Sequence, residues 1–459
     1  MLDPTKANEI FERVKKYSSS PELEIIFSST SFSLTRFANN TIHQNVSEVN
    51  EIASIRAAFD GKTARATTNR FDDDSLKRAV QSAESMAKAQ EADPDRLPMA
   101  NAAEGKGADA PKRWFDQSAA LTPADRAEGV KKIVDVATKN KLVTAGIFSS
   151  SQNADAIVNS NGLSVYHRQT SAEVSITMLA DNSSGWQKGN SPDVKNVDPV
   201  RLAETAAQKA RDSRGPQELP PGKYTVILEP AAVLDLIGFM FWDFGGLAIL
   251  DQRSFLNNRI GTKLFGENVT IVDDVAHPLQ SNSPFDGEGT RRSRVNLIEK
   301  GVVKNLVYAR ATAEKMRKSE FKEKVGEIRS TGHGFPLPNE MGEAPTNIVF
   351  VTPGGEQTTE QMIAGTERGI LITRLWYIRE VDPYEKILTG MTRDGTFLVE
   401  NGKVKNGLRN FRFNQSLIEL LSNVEAMSQA VRASGEESFD MVVPAMKVRG
   451  FNFTEVTRF

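Results

Sequence analysis

Four short turn signals constrain this chain more than any other feature. Asp60-Gly61, Asn161-Gly162, Asp394-Gly395 and Asn401-Gly402 each stand beside runs of alternating or apolar residues. Such pairs accept the positive φ angles of a two-residue type I′ turn, so each reads as an antiparallel hairpin. Residues 52–59 and 64–68 flank the first. The last two bracket residues 396–400, which reads as one short strand of a meander. Further strands are predicted at 23–27, 32–37, 143–150, 156–160, 164–169, 171–180 and 224–228, with two closing strands near the end of the chain.

Helical patterns interrupt these strands. A short helix is predicted over 4–16. Leu76, Ala79, Val80, Ala83 and Met86 carry helical spacing through 75–88, after an Asp72-Asp73-Asp74 run that suits the positive end of a helix dipole. Thr122-Pro123 opens a helix to about residue 139, and 199–211 is an alanine-rich helix. Leu417, Ile418, Leu420, Leu421, Val424 and Met427 predict one long amphipathic helix over 415–428. Residues 91–121 are rich in Ala, Gly, Pro and charge and read as an exposed linker; 213–223 is a second boundary. The expected fold is α+β. N-terminal α/β units over 1–90 and 122–215, with helices packed on mostly antiparallel sheet, precede a large β-rich C-terminal domain over 221–459.

Composition narrows the chemistry. Among 459 residues there is no cysteine, which excludes disulfides, thiolate metal sites and a cysteine nucleophile. Lys and Arg number 57 against 59 Asp and Glu, a formal net charge of −2, so a dedicated nucleic-acid binder is not expected. The N-terminus has no basic-then-apolar signal pattern, and a cytoplasmic location is expected. Residues 231–250 are apolar enough to question, but they hold Asp235, Asp243 and Gly245-Gly246. Each carboxylate would cost roughly 3 kcal/mol in a bilayer, so a buried helix followed by a glycine break is expected instead of a span.

No phosphate-binding glycine loop and no G-x-S-x-G elbow occur. His43, His167, His277 and His333 are scattered, with no pair at helical spacing. Glycines bracket His333, which singles it out. Phe285-Asp286-Gly287-Glu288-Gly289-Thr290 reads first as a solvated turn, with a metal- or peptide-facing loop as the functional alternative. Thr392-Arg393-Asp394-Gly395-Thr396 reads first as a hairpin turn. The mixed charges of 313–327 read as a solvated helix.

Several ordered motifs then resemble the TldD/PmbA family, and within it the PmbA (TldE) branch. They are Arg36-Phe37-Ala38-Asn39-Asn40-Thr41-Ile42-His43-Gln44, Phe59-Asp60-Gly61-Lys62 with Ala66-Thr67-Thr68-Asn69, and the run from Val158 to Gly162. Later come Pro221-Gly222-Lys223-Tyr224-Thr225-Val226-Ile227-Leu228, Ser254-Phe255-Leu256 with Gly261, the Phe285–Thr290 loop, and Val399-Glu400-Asn401-Gly402-Lys403. The resemblance implies N-terminal α/β units joined to a β-rich domain. It also implies a two-subunit zinc metallopeptidase that cleaves unfolded peptides in an enclosed chamber. The metal-bearing TldD-type subunit carries H-E-x-x-x-H on the helix after the Pro-Gly strand, and a cysteine near its C-terminus. Here Gly238, Phe239 and Asp243 stand where histidine, glutamate and histidine would be.

The resemblance therefore implies a non-catalytic PmbA/TldE-like subunit with no metal ligands and no cofactor of its own. Zinc is expected in a TldD-like partner, in a heterodimer or larger assembly, and a homodimer formed without that partner stands as the alternative assembly. The subunit would complete the chamber and hold the peptide, with strand addition to an exposed sheet edge as one means. Arg329, His333, Arg374, Trp376 and Asp394, polar or aromatic groups near glycines or strand ends, are the candidate peptide-binding residues. Two alternatives remain: a stand-alone homodimeric peptide-binding scaffold, and an independent hydrolase using carboxylates such as Asp286 and Glu288. No direct contact with nucleic acid or membrane is expected.

Overall fold

In the computed structural model, which describes residues 2–107, 111–352 and 354–457, the first half of the chain builds one six-stranded antiparallel sheet. Its strands are β1 (Glu22–Ala38), β2 (Thr41–Phe59), β3 (Lys62–Thr68), β4 (Val143–Asn159), β5 (Ser164–Ala180) and β6 (Ser183–Ser191). They lie in the order β3-β2-β1-β4-β5-β6. The Asp60-Gly61 turn joins β2 to β3 with φ angles of 44° and 82°, the positive pair that a type I′ turn needs. Gly162, at φ 81°, helps close the turn between β4 and β5.

Residues 1–90 and 122–215 thus share a sheet. β1 pairs with β4 from Glu24↔Asn159 to Phe37↔Gly146. The strands expected at 23–27 and 32–37 are one strand. Ser28, Ser29, Thr30 and Ser31 between them are paired on both sides, to β2 and to β4, so the backbone ladder continues through a polar stretch. The expected strand pairs within 143–160 and 164–180 are joined in the same way.

Helices cover this sheet. Pro4–Tyr17 starts at Asp3, whose side chain accepts the Lys6 N–H, and buries Ala7, Ile10, Phe11 and Val14. Asp73–Ala89 buries Leu76, Ala79, Val80 and Ala83. Pro123–Lys139 opens with a reciprocal Thr122–Asp125 capping box. With Pro199–Asp212 it packs Val130, Ile133, Ala203 and Ala207 against Phe148, Val174 and Ile176.

The second half holds two sheets around a shared core. The strand Arg368–Asp382 pairs in parallel with β7 (Gly222–Leu228) and antiparallel with Ile387–Glu400. Met446–Val456 and Phe411–Ser416 complete the circuit, so the sheet closes on itself. A six-stranded mixed sheet runs from Val302–Val303 through Ile271–Asp273 to Val431–Ala433. The 231–250 run forms the helix Pro230–Ile237, a 3₁₀ segment Gly238–Phe244 and a short helix Gly246–Leu250. Leu236, Phe241 and Phe244 from it pack with Leu228, Ile271, Ile372 and Phe411 in the main core. Among the described residues no helix is long and apolar enough to cross a membrane.

Two expectations are corrected here. Residues 415–428 are not one helix. Ser416 caps a six-residue helix, Leu417–Ser422, and Val424–Met427 then turns into a strand against Met446–Val456. Leu417, Leu420 and Leu421 on the helix and Val424 and Met427 on the strand all face inward, which mimics a helical stripe in the sequence. Asp394-Gly395 is not a hairpin turn. The strand Ile387–Glu400 runs through it as a bulge at φ 51° and 135°, skipping register between Arg374↔Arg393 and Ile372↔Thr396. The Asn401-Gly402 turn is present, at φ 52° and 74°.

Candidate functional site

The segment that would carry metal ligands starts where helix Pro230–Ile237 tightens into 3₁₀ geometry at Gly238. A Cβ at Gly238 would lie 1.9 Å from Ser438 Oγ, so the close approach of the 438 loop requires glycine there. Phe239 offers no donor atom. Asp243 is buried, and its Oδ2 is 2.6 Å from the Lys386 ammonium, which is also 2.6 Å from Glu380 Oε1. Asp243 Oδ1 accepts the Phe255 N–H at 3.1 Å. Burial pushes the Asp243 carboxyl above its ordinary range, and Lys386 opposes that shift. These residues do not fit a zinc ion: the single carboxylate among the three is taken by an ammonium and an amide. Among the described residues no group of three or more His, Cys, Asp or Glu could hold a metal.

Beside this segment lies an open cleft of about 690 Å³. Gly238, Phe239 and Trp242 form one side, Glu380 and Lys386 another, and Glu436–Phe439 a third. Beneath the last wall, Asp235 Oδ1 accepts the N–H groups of Glu436 and Glu437 at 3.1 and 3.0 Å. Burial nevertheless raises the Asp235 carboxyl to about 7.

The candidate peptide-binding residues fall into two places. Arg374, Trp376 and Asp394 come together. Arg374 Nε donates to Asp394 Oδ2 at 2.9 Å, and its guanidinium lies 4.9 Å from the Trp186 ring and 5.8 Å from that of Trp376. Ser184 donates to Asp394 Oδ1. Arg374 and Asp394 are buried and Trp376 is half-buried, so the cluster ties β6 of the first sheet to the closed sheet. Asp394 also lines a polar cleft of about 690 Å³ with Ser183, Ser184 and Arg409.

Arg329 and His333 lie elsewhere. Arg329 reaches Glu327 at 2.9 Å and Ser293 Oγ at 2.9 Å near the surface. His333 is fully enclosed, with Nε2 3.0 Å from Asp273 Oδ1 and Nδ1 2.9 Å from Thr331 Oγ1. Burial pushes the Asp273 carboxyl up, but His333, Arg292 and the Asn347 N–H outweigh it and hold it below its ordinary range.

Asp286 and Glu288 are buried as well, so the loop is not a solvated turn. Asp286 accepts the N–H groups of Glu288, Thr290 and Gly334. Glu288 accepts the Arg310 N–H, and burial with the nearby Asp286 charge lifts it to about 7. Arg310 reaches on to Glu104 in the 91–121 stretch at 2.7 Å. This carboxylate pair is enclosed by backbone donors and docks one segment on another.

Three family models match consecutive parts of the chain. Residues 221–455 match the PmbA/TldA metallopeptidase C-terminal domain, 23–87 match domain 1, and 69–214 match the central domain. The chain belongs to the TldD/PmbA family. Metalloprotease PmbA of Escherichia coli O157:H7 is 21% identical over 356 residues, covering 74% of this chain and 73% of the relative. An uncharacterized protein of Methanocaldococcus jannaschii is 27% identical over 259 residues; that match spans 55% of this chain and 59% of the relative. The crystal structure of TldE from Thermococcus kodakarensis superposes with a TM-score of 0.84 at 21% identity, covering 98% and 99% of the two chains, and so has the same fold. The α+β expectation holds at that level.

Sequence reading missed the partners that define this TldD/PmbA chain's local chemistry: Lys386, Glu380 and Trp186. The only signal for Lys386 was a lone basic residue in Pro383-Tyr384-Glu385-Lys386, which carries no motif.

Proposed function

We propose that this chain is a non-catalytic, PmbA/TldE-like subunit of a cytoplasmic two-subunit zinc metallopeptidase. Its TldD-like partner holds the zinc, and this chain completes the chamber and holds an unfolded peptide. One observation carries the reading: at the metal-helix positions, Gly238 and Phe239 supply no ligand and Asp243 is neutralised by Lys386. A zinc-bound water acting as nucleophile needs several protein ligands around one open position.

A free strand edge supports peptide holding. Among the described residues, 41–50 of β2 have β1 as their one strand neighbour, because β3 covers only 53–59. An extended peptide can add to such an edge through main-chain hydrogen bonds. The burial of Asp286 and Glu288 weighs against the independent hydrolase, since both carboxylates are nearly closed to solvent. A near-neutral charge gives no reason to invoke nucleic acid.

Co-expression with a TldD-like protein tests the reading. The two chains are expected to elute together in gel filtration, and the mixture to cleave an unfolded peptide that this chain leaves intact. A stable homodimer that ignores the TldD-like protein would favour the scaffold instead.

A further inference from the structure

Trp242 is the feature of the cleft that packing leaves unexplained. It is 51% exposed, while the neighbouring Phe241 and Phe244 are fully buried. Its ring lines the cleft and stacks on Phe335 with centroids 5.8 Å apart. Met341, which follows Phe335 closely in the chain, is 52% exposed. Exposed apolar surface rimmed by charge marks an interaction site in a soluble protein.

The charges around the cleft have a net sign. Lys386 is already held between Asp243 and Glu380. Arg253 reaches Asp251 outside the cleft at 3.3 Å. Glu437 accepts the Tyr377 N–H and lies 3.6 Å from Arg379. Glu436 lies 3.6 Å from Lys188, which Glu173 shares at 3.4 Å. Among the residues lining the cleft, four carboxylates (Asp243, Glu380, Glu436 and Glu437) therefore face two cations (Arg253 and Lys386), and the opposing wall of Glu436 and Glu437 is fixed from below by Asp235.

We infer that this cleft binds a basic side chain, Lys or Arg, of an extended peptide. The alkyl stem lies over the Trp242 ring, and the cationic head points to Glu436 and Glu437. The aromatic face attracts the cation and the carboxylate surplus selects its sign. Tyr, Phe and acidic side chains lack one or both of these matches. The inference rests on the reading that this chain holds peptides, and it names the class of peptide that is held.

Two fluorescein-labelled unstructured peptides test it, one with a central Lys-Arg pair in a Gly/Ser context and one with Glu-Glu at those positions. Anisotropy is read on the purified full chain at low salt, with Trp242→Ala, Glu436→Gln and a remote control, Lys131→Ala. The basic peptide is expected to bind at least roughly tenfold tighter than the acidic one. Trp242→Ala and Glu436→Gln are each expected to weaken it roughly fivefold or more without changing the melting temperature, while Lys131→Ala binds normally. Equal affinity for the two peptides overturns the inference. Basic-peptide binding that survives both cleft substitutions overturns it too, but leaves the peptide-holding reading intact. No binding of either peptide, alone or with a TldD-like partner, overturns both.

Discussion

The Lys386 ammonium lies 2.6 Å from the Asp243 carboxylate, and both side chains are less than a tenth exposed. Removing one partner of a buried ion pair leaves the other charge stranded. Lys386→Met is therefore expected to destabilise the fold by about 3–5 kcal/mol in urea titration at pH 7. Adding Asp243→Asn is expected to restore at least half of that loss. A single substitution costing under about 1 kcal/mol would show that water reaches the pair.

His333 and Asp273 form a second enclosed pair at 3.0 Å. Asp273 Oδ2 also accepts the Thr346 and Asn347 N–H groups, at 2.7 and 2.8 Å. His333→Leu is expected to lower stability by about 3 kcal/mol and to leave peptide affinity unchanged. Thermal melts and the anisotropy assay check both halves. A variant that melts normally but loses peptide would place His333 in the binding surface.

Arg374 and Asp394 join the two halves of the chain through Trp186 and Ser184 on β6. Arg374→Ala is expected to cost roughly 3 kcal/mol by stranding Asp394. It is also expected to speed tryptic cleavage in the 213–223 boundary. Proteolysis at an unchanged rate would mean that other contacts hold the halves together.

Asp235 sets an expected pH dependence. Its folded carboxyl is raised to about 7, above its ordinary value near 4, so the native state holds a proton that the unfolded chain releases. Stability from this group is complete at low pH and falls as pH rises from about 4 to 7. Asp235→Asn keeps an acceptor for the Glu436 and Glu437 N–H groups without the charge. Its melting temperature relative to the native chain is expected to improve steadily across that window. A difference that stays flat from pH 4 to 8 would contradict the raised carboxyl.

Local chemistry was legible in the sequence where a single residue type sets backbone geometry. Asp60-Gly61 and Asn401-Gly402 form their turns, and Thr122-Pro123 with Asp125 opens its helix. Asp394-Gly395 has the same conformational freedom but uses it for a bulge, because the strand Arg368–Asp382 continues to pair on both sides of it. Non-local pairing was not legible. Nothing in the residues announces that β1 takes β4 as a neighbour across more than a hundred intervening positions. The candidate site shows the same limit. Arg374, Trp376 and Asp394 lie near one another along a hairpin and meet, whereas His333 turns inward because Asp273, sixty residues earlier, waits in the core.

The most direct measurement is the zinc content of the purified chain alone, by inductively coupled plasma mass spectrometry after dialysis, paired with cleavage of an unfolded peptide. The expected result is far less than one zinc per chain and no cleavage until a TldD-like protein is added. Stoichiometric zinc with cleavage by the isolated chain would contradict a non-catalytic subunit.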